Sequence, residues 1–136
     1  MSVSIHAEIP SVDTYLDLRK AGGMGSYSAE AARVGLPNSL YSVVLKEGGR
    51  PVGMGRLVGD GGCFVQVTDI VVRPECQGRG YARMILEDLM GWIEKNVPDT
   101  AYVNLLADVP ANRIYEKFGF RETAPKTVGM AKRNGS

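Results

Sequence analysis

Seven consecutive residues, Gln77-Gly78-Arg79-Gly80-Tyr81-Ala82-Arg83, have the types and spacing that hold a phosphate group. They follow the apolar run Ile70-Val71-Val72 and lead into a helical pattern, so they read as a strand-to-helix junction. Glycine has no Cβ and accepts positive φ, which lets the backbone approach an anion closely. The free N–H groups at the start of the following helix, together with its dipole, favour negative charge there. Arg79 and Arg83, with Arg73 before the loop, add cations suited to a polyphosphate. Two familiar phosphate loops are excluded. No Gly-Lys-Ser/Thr occurs, which removes a P-loop, and Arg83 stands where a dinucleotide-binding fingerprint needs its third glycine.

The rest of the chain must position this junction. With 136 residues, 44% hydrophobic and 23% charged, it is expected to form a single domain over residues 1–136 with a real core. Sixteen basic against fifteen acidic residues leave no overall bias of the kind that bulk nucleic-acid binding uses. Cys63 and Cys76 form no CxxC, and the lone histidine, His6, is far away; no metal site or disulfide framework is expected, and the thiols are read as free. The first ten residues lack a basic and apolar leader, and no run approaches the ~20 apolar residues of a membrane span. The expected address is the cytoplasm, with no membrane partner.

Val3, Ile5, Ala7 and Ile9 alternate as a first strand, which Pro10 ends. Ser11 is a helix N-cap, and a helix over roughly 11–21 stops at Gly22-Gly23. "SAEAARVG" reads as a second, shorter helix. Three strands then fill 40–72, separated by the glycine turns "EGGR" and "DGGC". Ala82, Ile85, Leu86, Leu89, Met90 and Ile93 mark one buried face of a helix over 79–96. "TAYVNLLA" is a strand, "PANRIYEKFG" a short helix, and "MAKR" a closing strand. The pattern predicts a mixed α/β fold: a mostly antiparallel sheet of about six to seven strands flanked by about four helices.

The string "QGRGYA" resembles the pyrophosphate-binding Q/R-x-x-G-x-G/A motif of the GNAT superfamily of N-acetyltransferases, matching at Gln77, Gly80 and Ala82. "DIVVRPECQGRG" looks like that family's strand ending in V-x-P, and "ANRIYEKFGF" like its second signature. The resemblance is strongest over 66–122 and weakest over 1–40. It implies acetyl-CoA, released as CoA, in a cleft where parallel strands at 63–72 and 101–107 splay apart. The pantetheine arm would pair like an added strand with Ile70, Val71 and Val72. The pyrophosphate would rest on Gln77, Gly78, Arg79, Gly80, Tyr81, Ala82 and Arg83. An N–H near Ile70 or Val71 would face the thioester carbonyl, and one such donor is worth roughly 3–4 kcal/mol of barrier. Homodimers are common among such proteins.

Tyr115 matches the family's tyrosine that acts as general acid to the departing thiolate; a packing tyrosine is the alternative. Asp69 sits where family members carry a residue beside the acceptor, as a base, an ammonium anchor, or a solvent-facing strand residue. Asp108 replaces the family's asparagine seven places before the tyrosine, with Asn112 a turn later; both are read as cofactor contacts. Arg56 could reach the acceptor cleft, while Gly53 and Gly55 could mark a bulge or close packing. Ser26 and Tyr27 are polar candidates in the 20–30 connection that would roof the acceptor. The expected function is acetyl transfer to a primary amine of a small or amino-acid-like molecule. A peptide or protein amine, a non-catalytic acyl-CoA-binding module, and an unrelated nucleotide binder are the alternatives.

Overall fold

Ser11 and Ser28 open the first two helices by side-chain capping: their hydroxyls accept from Thr14 N at 3.1 Å and Ala31 N at 3.0 Å. The computed structural model describes residues 2–135. In it β1 is Val3–Ala7, α1 Val12–Ala21 and α2 Ala29–Gly35. The meander follows as β2 (Tyr41–Glu47), β3 (Arg50–Gly59) and β4 (Phe64–Val72). A sixteen-residue α3 (Tyr81–Asn96), a short β5 (Tyr102–Asn104) and α4 (Asn112–Glu116) complete the regular elements. Among the described residues no helix is long and apolar enough to cross a membrane.

The sheet has the order β1-β2-β3-β4-β5, antiparallel throughout except for the parallel pair β4–β5. The mixed α/β class and the parallel pair match the sequence reading, but the sheet has five strands rather than six or seven. Among the described residues no strand forms after Asn104, so "MAKR" closes nothing. Met130 and Ala131, the apolar residues of that segment, are both exposed, Met130 at 89%. Strand pairing is stabilised by side chains packed across a partner surface, and these have none. By backbone proximity the chain divides into two compact units, Met1–Leu105 and Leu106–Ser136.

In the first unit α1 and α2 cover one face of the sheet. Tyr15, Leu18, Ala32 and Leu36 pack there with Met54 and Val71, all buried. On the opposite face α3 lays Ile85, Leu86, Leu89 and Ile93 against the sheet, as its apolar periodicity requires. Its close seat depends on glycine. A Cβ added to Gly55 would meet Ile85 Cγ2 at 2.7 Å, Ile70 Cδ1 at 2.8 Å and Leu89 Cδ1 at 3.0 Å. Close packing is therefore one of the two readings of Gly55 that the structure shows. Tyr41 supplements this contact by stacking on Trp92, with ring centroids 5.0 Å apart. Gly55→Ala should thus overpack the seam between α3 and the sheet and lower stability by about 1–3 kcal/mol. Urea unfolding checks this, and an unchanged midpoint would mean that α3 shifts without cost.

Candidate active site

Strand β4 changes register within its own length. Met54 pairs with Val71 and Arg56 with Thr68, so Asp69 and Ile70 together oppose the single Gly55. This is a β-bulge, which bends a strand and re-aims its groups. Asp69 takes the left-handed conformation there, at φ 58°, the one non-glycine residue with positive φ among those described. Aspartate is among the residues that tolerate this region best.

The carboxylate of Asp69 is 3% exposed and accepts from three side chains. The guanidinium of Arg19 donates to Oδ1; the Tyr15 hydroxyl and Arg56 Nε donate to Oδ2 at 2.8 and 2.6 Å. Burial, reinforced by the charge of Asp69 and the hydrogen bond to it, pushes the Tyr15 phenol up to about 12. Burial works against the Arg56 cation, but the hydrogen bond and charge of Asp69 outweigh it and hold its pKa above the ordinary value. Arg19 also grips the α1–α2 connection: Nε and Nη2 donate to the Gly25 carbonyl at 3.1 and 2.6 Å, and the guanidinium lies 4.3 Å from the Tyr27 ring centre. Sequence reasoning found Asp69 and left Arg56 open, but it missed Tyr15 and Arg19. The signal was present: Arg19 stands four residues after Tyr15, a cation on the stripe of α1 that also carries Val12 and Leu16.

A cavity of about 130 Å³ opens against this network, walled by Tyr15, Tyr27, Ala32, Leu36 and Arg56. Tyr27, from the 20–30 connection, and Arg56 therefore line one cavity, on the α1–α2 side of the sheet. Nε of Arg56 is engaged by Asp69, and Nη1 donates to Ser39 Oγ at 3.2 Å. A guanidinium has five N–H donors, more than these two bonds use.

Beyond the bulge β4 has an open edge. Its pairing with β5 runs from Phe64–Tyr102 to Gln66–Asn104 and stops there. Arg73 donates its amide to Val52 O of β3 at 2.8 Å. Strand alternation then turns the backbone groups of Val72 and Ile70 to the open edge, and those of Val71 back toward β3. A polar backbone edge of this kind accepts an added extended partner.

The loop that follows has the expected local form. Gly78 and Gly80 are left-handed, at φ 82° and 80°, and a Cβ on either would meet nothing within 4 Å. Gly80 is the N-cap of α3, and the first intrahelical bond runs from Met84 N to Gly80 O at 3.1 Å. The amides of Tyr81, Ala82 and Arg83 therefore have no acceptor within the helix. Gln77 donates its side-chain amide to Val72 O at 3.3 Å. The loop arginines are less free than the sequence suggests. Arg79 pairs with Glu47 at 2.9 Å, Arg83 with Glu87 at 2.9 Å, and Arg73 with Asp17 at 2.6 Å. Arg79 and Arg83 are exposed pairs of small net worth, so their charge can be exchanged to a ligand; Arg73, 11% exposed and also bonded to Pro51 O, is a brace.

In the second unit Tyr115 lies on α4, half-buried and edge-on to Phe120 with ring centroids 6.4 Å apart. Burial, and then the charge of Asp108, pushes its phenol above the ordinary value. Asn112 is the first residue of α4. Left-handed Gly119, at φ 92°, follows the helix, and its amide donates to Glu116 O at 3.1 Å. Among the described residues no group of three or more His, Cys, Asp or Glu is arranged to hold a metal ion.

A bulged β4 with an open edge, running into a glycine loop at a helix N-terminus, is an arrangement suited to an extended ligand with a phosphate end. Residues 24–131 match the family model described as an acetyltransferase (GNAT) domain. The chain belongs to the GNAT acetyltransferase family. A Staphylococcus aureus protein of unknown function, named a "probable acetyltransferase", is 41% identical; the alignment covers 97% of this chain and 99% of that one, with a TM-score of 0.93. A Clostridium acetobutylicum acetyltransferase solved with acetyl-CoA shares the fold, at 16% identity, 96% coverage of each chain and a TM-score of 0.73. Serotonin N-acetyltransferase 2, chloroplastic, of Oryza sativa subsp. japonica is 37% identical over 84 residues, which is 61% of this chain and 40% of the relative. The chain thus aligns with less than half of that curated relative's length.

The Asp69 network yields a direct test. Asparagine tolerates left-handed φ as aspartate does, so Asp69→Asn removes the charge while keeping the backbone. Two buried guanidiniums then lose their counter-ion, and stability should fall by about 3–5 kcal/mol. Equilibrium unfolding measures it, and a loss under ~1 kcal/mol would show that solvent already screens the cluster.

Proposed function

We propose that this chain transfers an acetyl group from acetyl-CoA to a primary amine of a small molecule. One observation carries the reading: the open edge of β4 beyond the bulge leads directly into the two left-handed glycines and free amides at the start of α3. The residues present fit the cofactor. Ile70 and Val72 offer backbone partners to a pantetheine arm, and Gly78 to Arg83 offer amides, with open space beside both glycines, to a pyrophosphate. Gln77, Arg79 and Tyr81 complete that loop, while Asp108 and Asn112 serve as further contacts. The acetyl-CoA held by the Clostridium relative and the small amine in the rice relative's name support the same assignment.

Acetyl-CoA supplies an activated acyl group on a thiol leaving group. The chain's part is to orient the thioester, exclude water and manage two protons. Ile70 N–H, turned to the open edge, is the donor for the acyl oxygen. Tyr115 is the proton donor to the departing sulfur, since a phenol is protonated at neutral pH. Asp69 enters as a positioning residue rather than a free base. Both of its oxygens are occupied by Tyr15, Arg19 and Arg56, and it fixes the bulge from which Ile70 is aimed.

Two measurements test the reading. Acetyl-CoA at about 100 times its Kd should stabilise the protein by roughly 2.7 kcal/mol, a rise of several degrees in the melting midpoint, while ATP at the same concentration gives less. A larger shift with ATP would replace the transferase reading with a nucleotide binder. Tyr115→Phe should lower thiol release by about 10²-fold or more with CoA binding nearly intact. Equal turnover removes Tyr115 from the chemistry.

A further inference from the structure

The buried cluster beside the 130 Å³ cavity is unbalanced in charge. Arg19 and Arg56 are both cations, and among the described residues Asp69 is the carboxylate that both pair with. Two guanidiniums against one carboxylate leave one positive charge over. The three side chains are 8%, 16% and 3% exposed, so water screens this excess poorly. Tyr15 does not offset it, because a phenol pushed up to about 12 stays neutral. The cavity wall carries Arg56 and no acidic side chain. A site built only to draw in a protonated amine would have the opposite sign.

From this we infer that the acceptor is an amine that also carries a carboxylate, an amino-acid-like zwitterion, and that Arg56 is its specificity-determining contact. The inference rests on the transferase reading for what happens to the amine, and on the cavity alone for how the acid is recognised. A single carboxylate matches the single unbalanced charge, whereas a phosphate brings nearly two. Arg56 is presented for this role. Asp69 holds its Nε and Ser39 its Nη1, so the fork is fixed in orientation while donors remain for a planar, two-oxygen partner. Its guanidinium lies 5.7 Å from the Tyr15 ring centre, which fixes its plane further. The remaining wall, Tyr15, Tyr27, Ala32 and Leu36, suits an apolar or aromatic body. At about 130 Å³ the cavity is well below the ~300–1,000 Å³ of sites for drug-sized ligands, so it takes part of a small molecule and not a folded surface. This preference separates the chain from an enzyme for simple arylalkylamines, which carry no acid.

The experiment is a titration of the CoA-saturated, full-length protein with matched pairs: L-leucine and isopentylamine, L-phenylalanine and 2-phenylethylamine, L-tryptophan and tryptamine. Calorimetry reads binding, and thiol release from acetyl-CoA is followed in parallel. The acid of at least one pair should bind about ten- to a hundredfold more tightly than its amine, the worth of one charge-assisted hydrogen bond. Arg56→Gln should collapse that ratio toward one and Arg56→Lys should keep part of it. A loss common to both partners cancels in the ratio and reports only on the scaffold. Amines binding as tightly as the acids overturn the inference, as does an unchanged ratio in Arg56→Gln or binding by no member of the panel. If neither variant folds, the wild-type ratio alone decides. Acid-selective binding without thiol release would leave the inference standing and remove the transferase reading. Equal acetylation of both partners would do the reverse.

Discussion

The contact between Asp69 and its three donors ties together elements that share no sequence proximity. Tyr15 and Arg19 come from α1, Arg56 from β3, and Asp69 from the bulge in β4. Charges this deeply buried are tolerated only when paired and hydrogen-bonded, so each partner constrains the others. The left-handed backbone at Asp69 persists because its side chain is fixed from both sides. Arg19 extends the constraint outward through the Gly25 carbonyl and the Tyr27 ring, so the glycine-rich α1–α2 connection is anchored to the middle of the sheet.

The bulge then determines what the sheet edge offers. With two residues opposite one, the alternation of β4 shifts by one position, and Ile70 and Val72 present their backbone groups where no strand pairs. The helix that follows the glycine loop is seated by a different constraint. Gly55 lets α3 descend onto β3 and β4, which fixes the helix axis, and left-handed Gly80 fixes where the helix begins. The open-edge groups of β4 and the amides at the start of α3 are thus set by one polar and one steric contact on opposite faces of a single strand pair.

Charge is distributed unevenly between these two regions. Arg79 and Arg83 each have a carboxylate partner at or near the surface, where pairs are cheap to exchange, while Arg73 is braced by Asp17 and the Pro51 carbonyl. The arginines on the α1–α2 face share one carboxylate in a poorly screened interior. Water screens the surface pairs, whereas it screens the buried imbalance poorly.

The sequence alone determined the elements whose cause is local. Serine caps at Ser11 and Ser28, the glycine turns of the meander, the periodicity of α3 and the Gly78–Gly80 pair are written in adjacent residues, and the motif at 77–83 with the signature at 111–120 pointed to the family. It also singled out Asp69. It overcounted the strands, because a short segment such as residues 130–133 says nothing about whether a partner surface exists to cover it. Only the tertiary structure decided the partners of Asp69, since Tyr15, Arg19 and Arg56 lie 54, 50 and 13 residues away in the chain. It likewise decided which backbone groups of β4 face the open edge, because one bulged residue reverses them all. Long-range electrostatic pairing and strand register are properties of what the fold brings together, and no local pattern encodes them.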